Sequence, residues 1–460
     1  MYKFEVKDLK DRFVLGILIV LSWAVLIILQ KYVPIPSPIY ILLGVMVVYA
    51  LLIQAAQYHQ KRKKRKLIKK GLFEKIEAEK REYKPFVSIL IPAHNEEFVI
   101  KETIDNILSI NYEQFEIIVI DDRSTDNTAK VLGKLSAEYG NLKCHIRDKD
   151  AFPGKSAVLN EILPLTKGDV ICVFDADARV NPDFLERIIP YLSDTEVGAV
   201  QARKIISNKE VNFLTRCQDN EYALDTHFQL GRDCIKGAVE LRGNGQLVKK
   251  QALLDIGGWN NFTLTDDLDL STRLHLKGWD IRLCSDVSVY EEGVTKFLPL
   301  LRQRRRWVEG SIRRYLDYFL NVMFSKEISL RVSIDMWAYI AEFILPIWLV
   351  SEYCIQGFKF IKGVENNILV TLSIIPAIAL FFVSGLAYSL KKYKKLSLLA
   401  AVKQAIETVI YMFIVWVPVV SFIVFKIIFF KRTMDWGKTA HGTEIAPTSE
   451  PEIKLAESAE

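Results

Sequence analysis

Five apolar runs constrain this chain most, because each is long enough to cross a lipid bilayer as a helix. A helix needs about 20 apolar residues to cross a hydrocarbon layer of about 30 Å. The runs lie at roughly 13–30, 35–57, 334–353, 367–390 and 408–430. No such run occurs between about 85 and 330. The sequence therefore predicts a multi-pass membrane protein with a large domain outside the bilayer, preceded by two spans and followed by about three.

A basic block indicates which side of the membrane this domain occupies. Lys61 to Lys70 contains eight basic residues directly after the second run. Such residues mark the cytoplasmic side and contact anionic lipid headgroups, which favours a membrane partner over a nucleic acid. The first run is too long for a signal peptide and lacks a small-residue cleavage site. We predict two transmembrane helices in 1–60, a basic cytoplasmic linker in 61–84 and a location in the plasma membrane.

The end of the chain leaves the number of spans open. Residues 331–432 contain about three apolar runs, and the polar tail 433–460 is predicted to be disordered. Five spans from a cytoplasmic start would place the tail outside, whereas Lys431 and Arg432 argue for the inside. Pro418 in the last run leaves room for a re-entrant or interfacial segment that would restore the parity.

The spacings of the cysteines and histidines argue against a CxxC site and against a zinc site. The 6 cysteines form no CxxC pair, which is typical of reduced thiols in a cytosolic domain. The 6 histidines form neither HxxxH nor HExxH, so a zinc site is not expected.

Alternating strand and helix patterns predict an α/β domain. Segments 86–92, 116–122 and 170–174 are short apolar strands, and 96–109 has a helical pattern. Strands that are apolar on both faces and alternate with helices form a mostly parallel sheet covered on both sides. Ligands of such sheets bind beyond the carboxyl ends of the strands.

Acidic residues follow two of these strands and would lie at that edge. Asp121 and Asp122 end the second strand, and Asp175 and Asp177 follow the third. A carboxylate pair one residue apart can hold Mg²⁺ or Mn²⁺ together with substrate phosphates, although two solvated turn aspartates are the alternative. Lys155 precedes a helical pattern and could approach a diphosphate, or could be an ordinary exposed lysine.

A second group of candidates lies further along the chain. The glycines of Gly243-Asn244-Gly245 permit a tight turn that brings backbone close to a ligand, and a plain turn is the alternative. Thr265 is a natural N-cap, with Asp266 and Asp267 in the first helical turn. An inverting group transfer needs a general base, for which Asp267 is our candidate beside its capping role.

Residues 297–319 form an amphipathic pattern that belongs at a membrane surface. Arg304, Arg305 and Arg306 could neutralise a departing diphosphate, with Arg306 expected to face inward. Trp307 is either an interfacial tryptophan or a stacking surface for a sugar or nucleobase.

Together these motifs resemble the membrane-embedded family 2 glycosyltransferases. That family includes cellulose, chitin, hyaluronan and poly-N-acetylglucosamine synthases and glucosyl-diacylglycerol synthases. The matching segments, between about 85 and 310, are Pro92-Ala93-His94-Asn95-Glu96, Asp121-Asp122, Gly154-Lys155, Asp175-Ala176-Asp177, Thr265-Asp266-Asp267 and Gln303-Arg304-Arg305-Arg306-Trp307. The resemblance implies a GT-A type catalytic domain in 85–296, inserted between transmembrane helices, and interfacial helices in 297–330.

The resemblance also implies roles for individual residues. The donor would be a nucleotide-diphosphate sugar, usually UDP-linked, and the metal Mg²⁺ or Mn²⁺. The implied donor-site residues are Ala93, Glu96, Asp121, Asp122, Lys155, Asp175, Asp177, Gln303, Arg306 and Trp307. Asp175 and Asp177 would hold the metal, Asp267 with Asp266 would be catalytic, and Gly243, Asn244 and Gly245 would contact the acceptor.

The acceptor is the least constrained part of this prediction. Many synthases have Thr-Glu-Asp or Gly-Glu-Asp at the central motif, a mild difference that leaves Asp267 in register. Segments 240–246, 175–179 and 291–295 look closer to the glucosyl-diacylglycerol synthases. We predict transfer of glucose or N-acetylglucosamine from a UDP-sugar to diacylglycerol. The alternatives are a processive β-polysaccharide synthase and, more remotely, a non-catalytic nucleotide-sugar sensor.

Overall fold

The structure is a computed structural model that describes residues 2–32, 37, 39–338, 340–364 and 368–430. Its central domain is built on one eight-stranded sheet, and long apolar helices come before and after it. Lys431, Arg432 and the predicted tail 433–460 lie outside the described residues.

The sheet is mixed, with a parallel half that carries the predicted strands. Its strands are β1 Val87–Ala93, β2 Phe115–Asp121, β3 Leu142–Ile146, β4 Val170–Val173, β5 Arg179–Val180, β6 Val197–Ile206, β7 Gln246–Lys249 and β8 Asp280–Glu291. Their order is β3-β2-β1-β4-β7-β6-β8-β5. The first four are parallel, whereas β7 runs antiparallel to both neighbours. β6 and β8 are parallel, and β5 pairs antiparallel with β8.

Fifteen α-helices occur in the described part of the chain. They are α1 Tyr2–Tyr32, α2 Ile39–Lys69, α3 Phe73–Arg81, α4 Ile100–Leu108, α5 Thr128–Glu138, α6 Lys155–Ile162, α7 Phe184–Ile188, α8 Phe213–Cys234, α9 Lys250–Asp255, α10 Asp266–Leu276, α11 Phe297–Phe324, α12 Leu330–Ala338, α13 Ala341–Ile361, α14 Ile368–Lys394 and α15 Leu398–Phe429.

The central strands are buried on both faces, as a parallel sheet covered by helices requires. Ile89 of β1 points into a core that includes Ile104 of α4 and Leu132 of α5. Its neighbour Leu90 points the other way, into a core that includes Leu159 of α6. This period of two confirms the predicted α/β architecture.

One predicted boundary is wrong. The helix expected over 96–109 begins at Ile100. The preceding segment instead forms a turn in which Asn95 has a φ of 55°, a left-handed conformation that interrupts a helix. This turn lies beside the carboxyl ends of β1 and β2, because the backbone N–H of Asn95 donates to Ser124 Oγ.

Four described segments are long and apolar enough to cross a membrane: Ile39–Lys69, Leu330–Ile361, Leu369–Lys394 and Leu398–Phe429. They correspond to the last four predicted runs. The first predicted run, 13–30, lies in α1 and stays a prediction. The subdivision of the chain into membrane, linker and catalytic segments also stays a prediction.

The candidate membrane helix α2 packs directly against the central domain. Gln57 Nε2 donates to His227 O over 3.0 Å, and Tyr49 Oη donates to Asp335 Oδ1 over 2.6 Å. Arg232 of α8 pairs with the same Asp335, over 3.3 Å. Both residues of this ion pair are buried, so α2, α8 and α12 share one polar contact.

We expect Gly231→Ala to loosen this junction. A Cβ atom at Gly231 would lie 2.7 Å from Ile53 Cβ, so α2 would have to move. Overpacking of this kind costs about 1–3 kcal/mol, and thermal unfolding in detergent should show a lower Tm. Gly133→Ala is the matched control, because nothing lies within 4 Å of a Cβ atom there and alanine favours a helix. Equal Tm values for the two variants would contradict the packing of α2 on α8.

Candidate active site

The first part of the candidate site is formed by the ends of β1 and β2. Ala93 and Asp121 are paired at these strand ends, and the backbone N–H of Asp122 donates to Ala93 O over 2.7 Å. Asp121 Oδ2 accepts from the backbone N–H of Ser124 over 3.3 Å. Glu96 is also buried beside this edge, and its backbone N–H donates to Thr128 Oγ1. The strand ends thus collect the polar residues predicted there.

Asp122 is a fixed carboxylate in this edge. It accepts from Arg147 Nη1 over 2.6 Å, from Arg123 Nε over 2.8 Å and from the backbone N–H of Gly154 over 3.1 Å. Burial alone would raise its pKa, but the hydrogen bonds from Arg123 and Gly154 and the positive charge of Arg147 bring the pKa of Asp122 below its usual value. Asp122 therefore stays ionised at neutral pH and can accept hydrogen bonds.

Lys155 contacts both Asp175 and the turn at Gly243. It is the first residue of α6, and its Nζ atom donates to Asp175 Oδ1 over 2.5 Å and to Gly243 O over 3.1 Å. Burial would lower the pKa of Lys155, but the charges of Asp175, Asp266 and Asp267 raise it above its ordinary value. A stable positive charge therefore lies among carboxylates at a helix N-terminus, a suitable place for a diphosphate.

Asp175 and Asp177 are the carboxylate pair that the sequence predicted for a divalent cation. Asp177 is buried, and its Oδ2 accepts from the backbone N–H of Glu292 over 2.9 Å. Within the described ranges, no three His, Cys, Asp or Glu side chains form a cluster that could hold a metal. Two carboxylates nevertheless fit Mg²⁺ or Mn²⁺ when substrate phosphates complete the coordination.

The turn at Gly243-Asn244-Gly245 depends on its two glycines. Gly243 and Gly245 have φ angles of 78° and 67°. A Cβ atom at Gly245 would lie 2.7 Å from Val289 Cγ1, and one at Gly243 would lie 3.4 Å from Asp267 Oδ2. The tight turn therefore brings backbone against Asp267. Asn244, between them, accepts from the backbone N–H of Asp175 over 3.2 Å.

Asp267 lies in the first turn of α10 with a perturbed carboxyl group. Thr265 occupies the N-cap position as predicted, but its side chain makes no capping hydrogen bond. Burial and the neighbouring charge of Asp266 raise the pKa of Asp267 to about 6, against the lowering effect of Arg242 and Lys155. Such a carboxylate is ionised at neutral pH and more basic than usual, as a general base should be.

The three arginines of the motif on α11 differ in burial, and the prediction that Arg306 faces the site stays a prediction. Arg304, not Arg306, is the most buried of the three arginines, with 1% of its surface exposed, and it pairs with Glu221 over 2.7 Å. Its guanidinium lies 4.2 Å from the ring centroid of Trp307 and donates to Gln303 Oε1. Arg306 is half-buried. The reason is helical periodicity, because position 304 shares the buried face of α11 with positions 300 and 308.

Three residues at successive turns hold α11 against α10. A Cβ atom at Gly310 would lie 2.5 Å from Thr265 Cγ2, so glycine is what permits this approach. Arg314 Nη1 donates to Thr272 Oγ1 of α10 over 3.4 Å and to Glu240 Oε1 over 2.6 Å, and Tyr318 Oη donates to Asp269 Oδ1 over 2.8 Å. These residues were absent from the sequence-based site, although their spacing of four was a readable signal.

Behind the glycine turn is a further group that the sequence did not identify. Glu291 pairs with Lys204 over 2.8 Å, accepts from Tyr222 Oη over 2.6 Å and accepts from Asn244 Nδ2 over 3.1 Å. Arg242, next to Gly243, is held by Asp225 over 2.7 Å and by Glu240 over 2.9 Å. These contacts fix the turn against the antiparallel half of the sheet.

Comparisons with known proteins agree on one family. The family described as "Glycosyltransferase like family 2" matches residues 85–310. The chain is 40% identical over 365 residues to a protein of Nostoc sp. named "Beta-monoglucosyldiacylglycerol synthase", covering 78% of this chain and 76% of that protein. It is 29% identical over 262 residues to a "Poly-beta-1,6-N-acetyl-D-glucosamine synthase" of Staphylococcus aureus, covering 55% and 63%.

A solved structure has the same fold. The mannosyltransferase PcManGT of Pyrobaculum calidifontis, in complex with GDP-Man and Mn²⁺, matches with a TM-score of 0.52 and 19% identity. The match covers 80% of this chain and 98% of that one. At this identity the likeness supports the GT-A fold alone.

We expect Arg242→Gln to move the acid limb of the pH–rate profile to higher pH. The positive charge of Arg242 lowers the pKa of Asp267, so its removal should raise that pKa above about 6 and leave more of the base protonated at a given pH. The rate should therefore fall more at pH 6 than at pH 8. Arg187→Gln, which breaks an exposed pair with Asp183, is the control. An unchanged acid limb in Arg242→Gln would contradict the assignment.

Proposed function

Because the chain belongs to the family 2 glycosyltransferases and is a hexosyltransferase, we propose that it transfers glucose from UDP-glucose to diacylglycerol at the membrane surface. The observation that carries this proposal is the convergence of Lys155, the Gly243-Asn244-Gly245 turn and Asp267 on one point. The ammonium group of Lys155, which would bind the leaving diphosphate, and the carboxylate of Asp267, which would accept the proton of the acceptor hydroxyl, are thereby close together. The synthases of Nostoc sp. and Synechocystis sp., at 40% and 38% identity, support the choice of sugar and acceptor.

The donor would bind along the ends of the parallel strands. We assign Ala93, Glu96, Asp121 and Asp122 to the base and ribose, because they line the edges of β1 and β2. Lys155 would contact the diphosphate from the N-terminus of α6.

Asp175 and Asp177 would hold Mg²⁺ or Mn²⁺ beside that diphosphate. The bound cation would neutralise negative charge on the departing nucleotide. Asp177 is held in place for this role by the backbone N–H of Glu292, whereas Asp175 is shared with Lys155.

Asp267 would act as the general base. It would take the proton of the acceptor hydroxyl as that oxygen forms a bond to the anomeric carbon, while the bond to the diphosphate breaks and UDP leaves with its electron pair. Attack opposite the leaving group inverts the configuration. Asp266 would keep Asp267 basic through its neighbouring charge.

The acceptor would enter along α11. We assign Gln303, Arg306 and Trp307 of this helix to the donor site, and Gly310 packs α11 against the N-cap residue Thr265 of α10. The ends of α11 expose large apolar side chains, including Leu298 at 69% and Phe324 at 72%. An amphipathic helix of this kind lies in a membrane surface, where diacylglycerol presents its hydroxyl group. Extension of a β-linked polysaccharide is the second candidate, supported by the Staphylococcus aureus relative.

A product assay separates the two candidates. Purified protein in vesicles that contain diacylglycerol should convert UDP-glucose to a single glycolipid, and UDP-N-acetylglucosamine should be a poorer donor. Asp267→Asn should reduce the rate by at least about a hundredfold with unchanged donor binding. A size ladder that does not depend on diacylglycerol would instead establish the polysaccharide reaction. Full turnover by Asp267→Asn would refute the role of the base.

Metal removal tests the carboxylate pair. Chelator-treated protein should lose transfer, and Mn²⁺ or Mg²⁺ should restore it. Asp177→Asn should weaken Mn²⁺ binding in the presence of UDP, measured by calorimetry, because it removes one of two anionic ligands. Asp183→Asn, which changes an exposed aspartate on the surface, should leave binding unchanged. Transfer at the full rate without a divalent cation would rule out this site.

A further inference from the structure

The position of α15 relative to the catalytic domain bears on how the chain meets the membrane. This helix, Leu398–Phe429, is 32 residues long and apolar enough to be a membrane span. We propose that α15 does not cross the bilayer but lies along the leaflet next to the catalytic domain, with its exposed apolar face among the acyl chains. The end of the chain after Phe429 would then emerge on the catalytic-domain side.

The N-terminal half of α15 is bound to α8. Asn220 Nδ2 donates to Thr408 Oγ1 over 2.9 Å, and Arg216 pairs with Glu407 over 3.4 Å. Apolar contacts accompany them, because Ala401 and Ala405 belong to the same buried cluster as Leu224.

The C-terminal half of α15 is bound to α11. Lys426 Nζ donates to Glu309 Oε2 over 2.9 Å, and Arg305 lies 4.5 Å from the ring centroid of Phe422. Val419 and Ile423 share a buried cluster with Val308 and Ile312 of α11.

The middle of α15 meets both helices at one carboxylate. Glu221 of α8 accepts from Tyr411 Oη over 3.3 Å and from Trp416 Nε1. The same carboxylate pairs with Arg304 of the α11 motif. Polar contacts with the catalytic domain therefore extend from Glu407 to Lys426.

This distance is incompatible with a helix that crosses the bilayer. Glu407 and Lys426 are nineteen residues apart, so the helix between them is about 29 Å long. That is about the thickness of the hydrocarbon layer. A transmembrane helix would bring one end to a domain on one side and carry the other end to the opposite surface. Here both ends contact the same domain.

α8 and α11, the two helices that make these polar contacts with α15, belong to that domain. α8 packs against β6 and β8 and contains charged residues along its length, including Arg216, Asp219 and Asp225. Such a helix cannot be immersed in hydrocarbon without large desolvation costs. α11 is fixed to α10 by Gly310, Arg314 and Tyr318. α15 therefore follows the membrane-facing surface of the domain.

The outer face of α15 identifies what covers it. A stripe of large apolar side chains at helical spacing is exposed, namely Ile406, Ile410, Ile414, Phe422, Phe425 and Phe429, with exposures between 46% and 63%. α13 and α14 pack beside α15, so the stripe continues the apolar surface of two predicted spans. The acyl layer of a leaflet is the partner that fits a long apolar face next to membrane helices.

A helix α15 that does not cross the bilayer would also remove the conflict between the number of spans and the side of the membrane on which the chain ends. α13 and α14 would cross outward and back, which leaves Lys391 on the catalytic-domain side. With α15 lying in the leaflet, Phe430 stays on the catalytic-domain side, which is the side that the basic pair Lys431-Arg432 in the sequence favours.

Single-cysteine labelling tests the proposal independently of catalysis. The six native cysteines are replaced by alanine, and Phe430→Cys, Lys391→Cys and Lys362→Cys are reconstituted separately in sealed vesicles of one orientation. A membrane-impermeant maleimide should label Phe430→Cys from the same side as Lys391→Cys, and Lys362→Cys from the opposite side, with at least a tenfold difference. Labelling after the vesicles are dissolved in detergent gives the total for each variant. Labelling of Phe430→Cys from the same side as Lys362→Cys would overturn the proposal.

Charge reversal at the far end of α15 supplies a second measurement. Glu309→Lys and Lys426→Glu each place like charges together, so each should reduce the yield of folded protein severalfold. The double variant restores an opposite-charge pair between α11 and α15, but Arg313 still loses its partner Glu309, so the loss of yield should be smaller than the sum of the two single losses. Additive losses in the double variant would show that Lys426 is not held at α11, and would argue for a crossing helix.

Discussion

The ammonium group of Lys155 is the contact on which the arrangement of the site depends. It bonds both to Asp175, at the end of the parallel half of the sheet, and to the carbonyl of Gly243, at the start of the antiparallel half. One charge therefore holds the donor-side carboxylates and the glycine turn together. Because the turn lies against Asp267, the same contact relates the position of Lys155 to that of Asp267, the proposed base.

A second set of contacts links α10, which carries the proposed base Asp267, to the candidate membrane helix α15. α10, which begins at Asp266, is packed against α11 through Gly310, Arg314 and Tyr318. The opposite side of α11 is covered by α15. Glu221 of α8 contacts both of these helices, through Arg304 of α11 and Trp416 of α15. A change in how these helices sit in lipid would therefore reach α10 through packed side chains. This arrangement suits an enzyme whose acceptor is itself a membrane component.

Some features were readable in the sequence because they depend on local patterns. The strands β1, β2 and β4 are apolar on both faces, which only a sheet covered on both sides explains, and the acidic residues directly follow them. α8 was missed because its buried face is polar, with Gln218, Asn220 and Gln229 bonded to neighbours rather than forming an apolar stripe. The burial of Arg304 was not predicted because side chains two positions apart on a helix, such as Arg304 and Arg306, point in nearly opposite directions, and the pattern alone did not say which direction faced Glu221.

The sequence by itself determined the α/β class, the long apolar helices, the family and the short segments that carry carboxylates and basic residues. These properties follow from composition and spacing along the chain. Only the tertiary structure decided which groups share an environment. The raised pKa of Asp267 comes from burial beside Asp266, with Arg242 opposing it, and the position of α15 comes from partners almost two hundred residues away. Burial and charge act through space, so distant segments had to be brought together before either could be known.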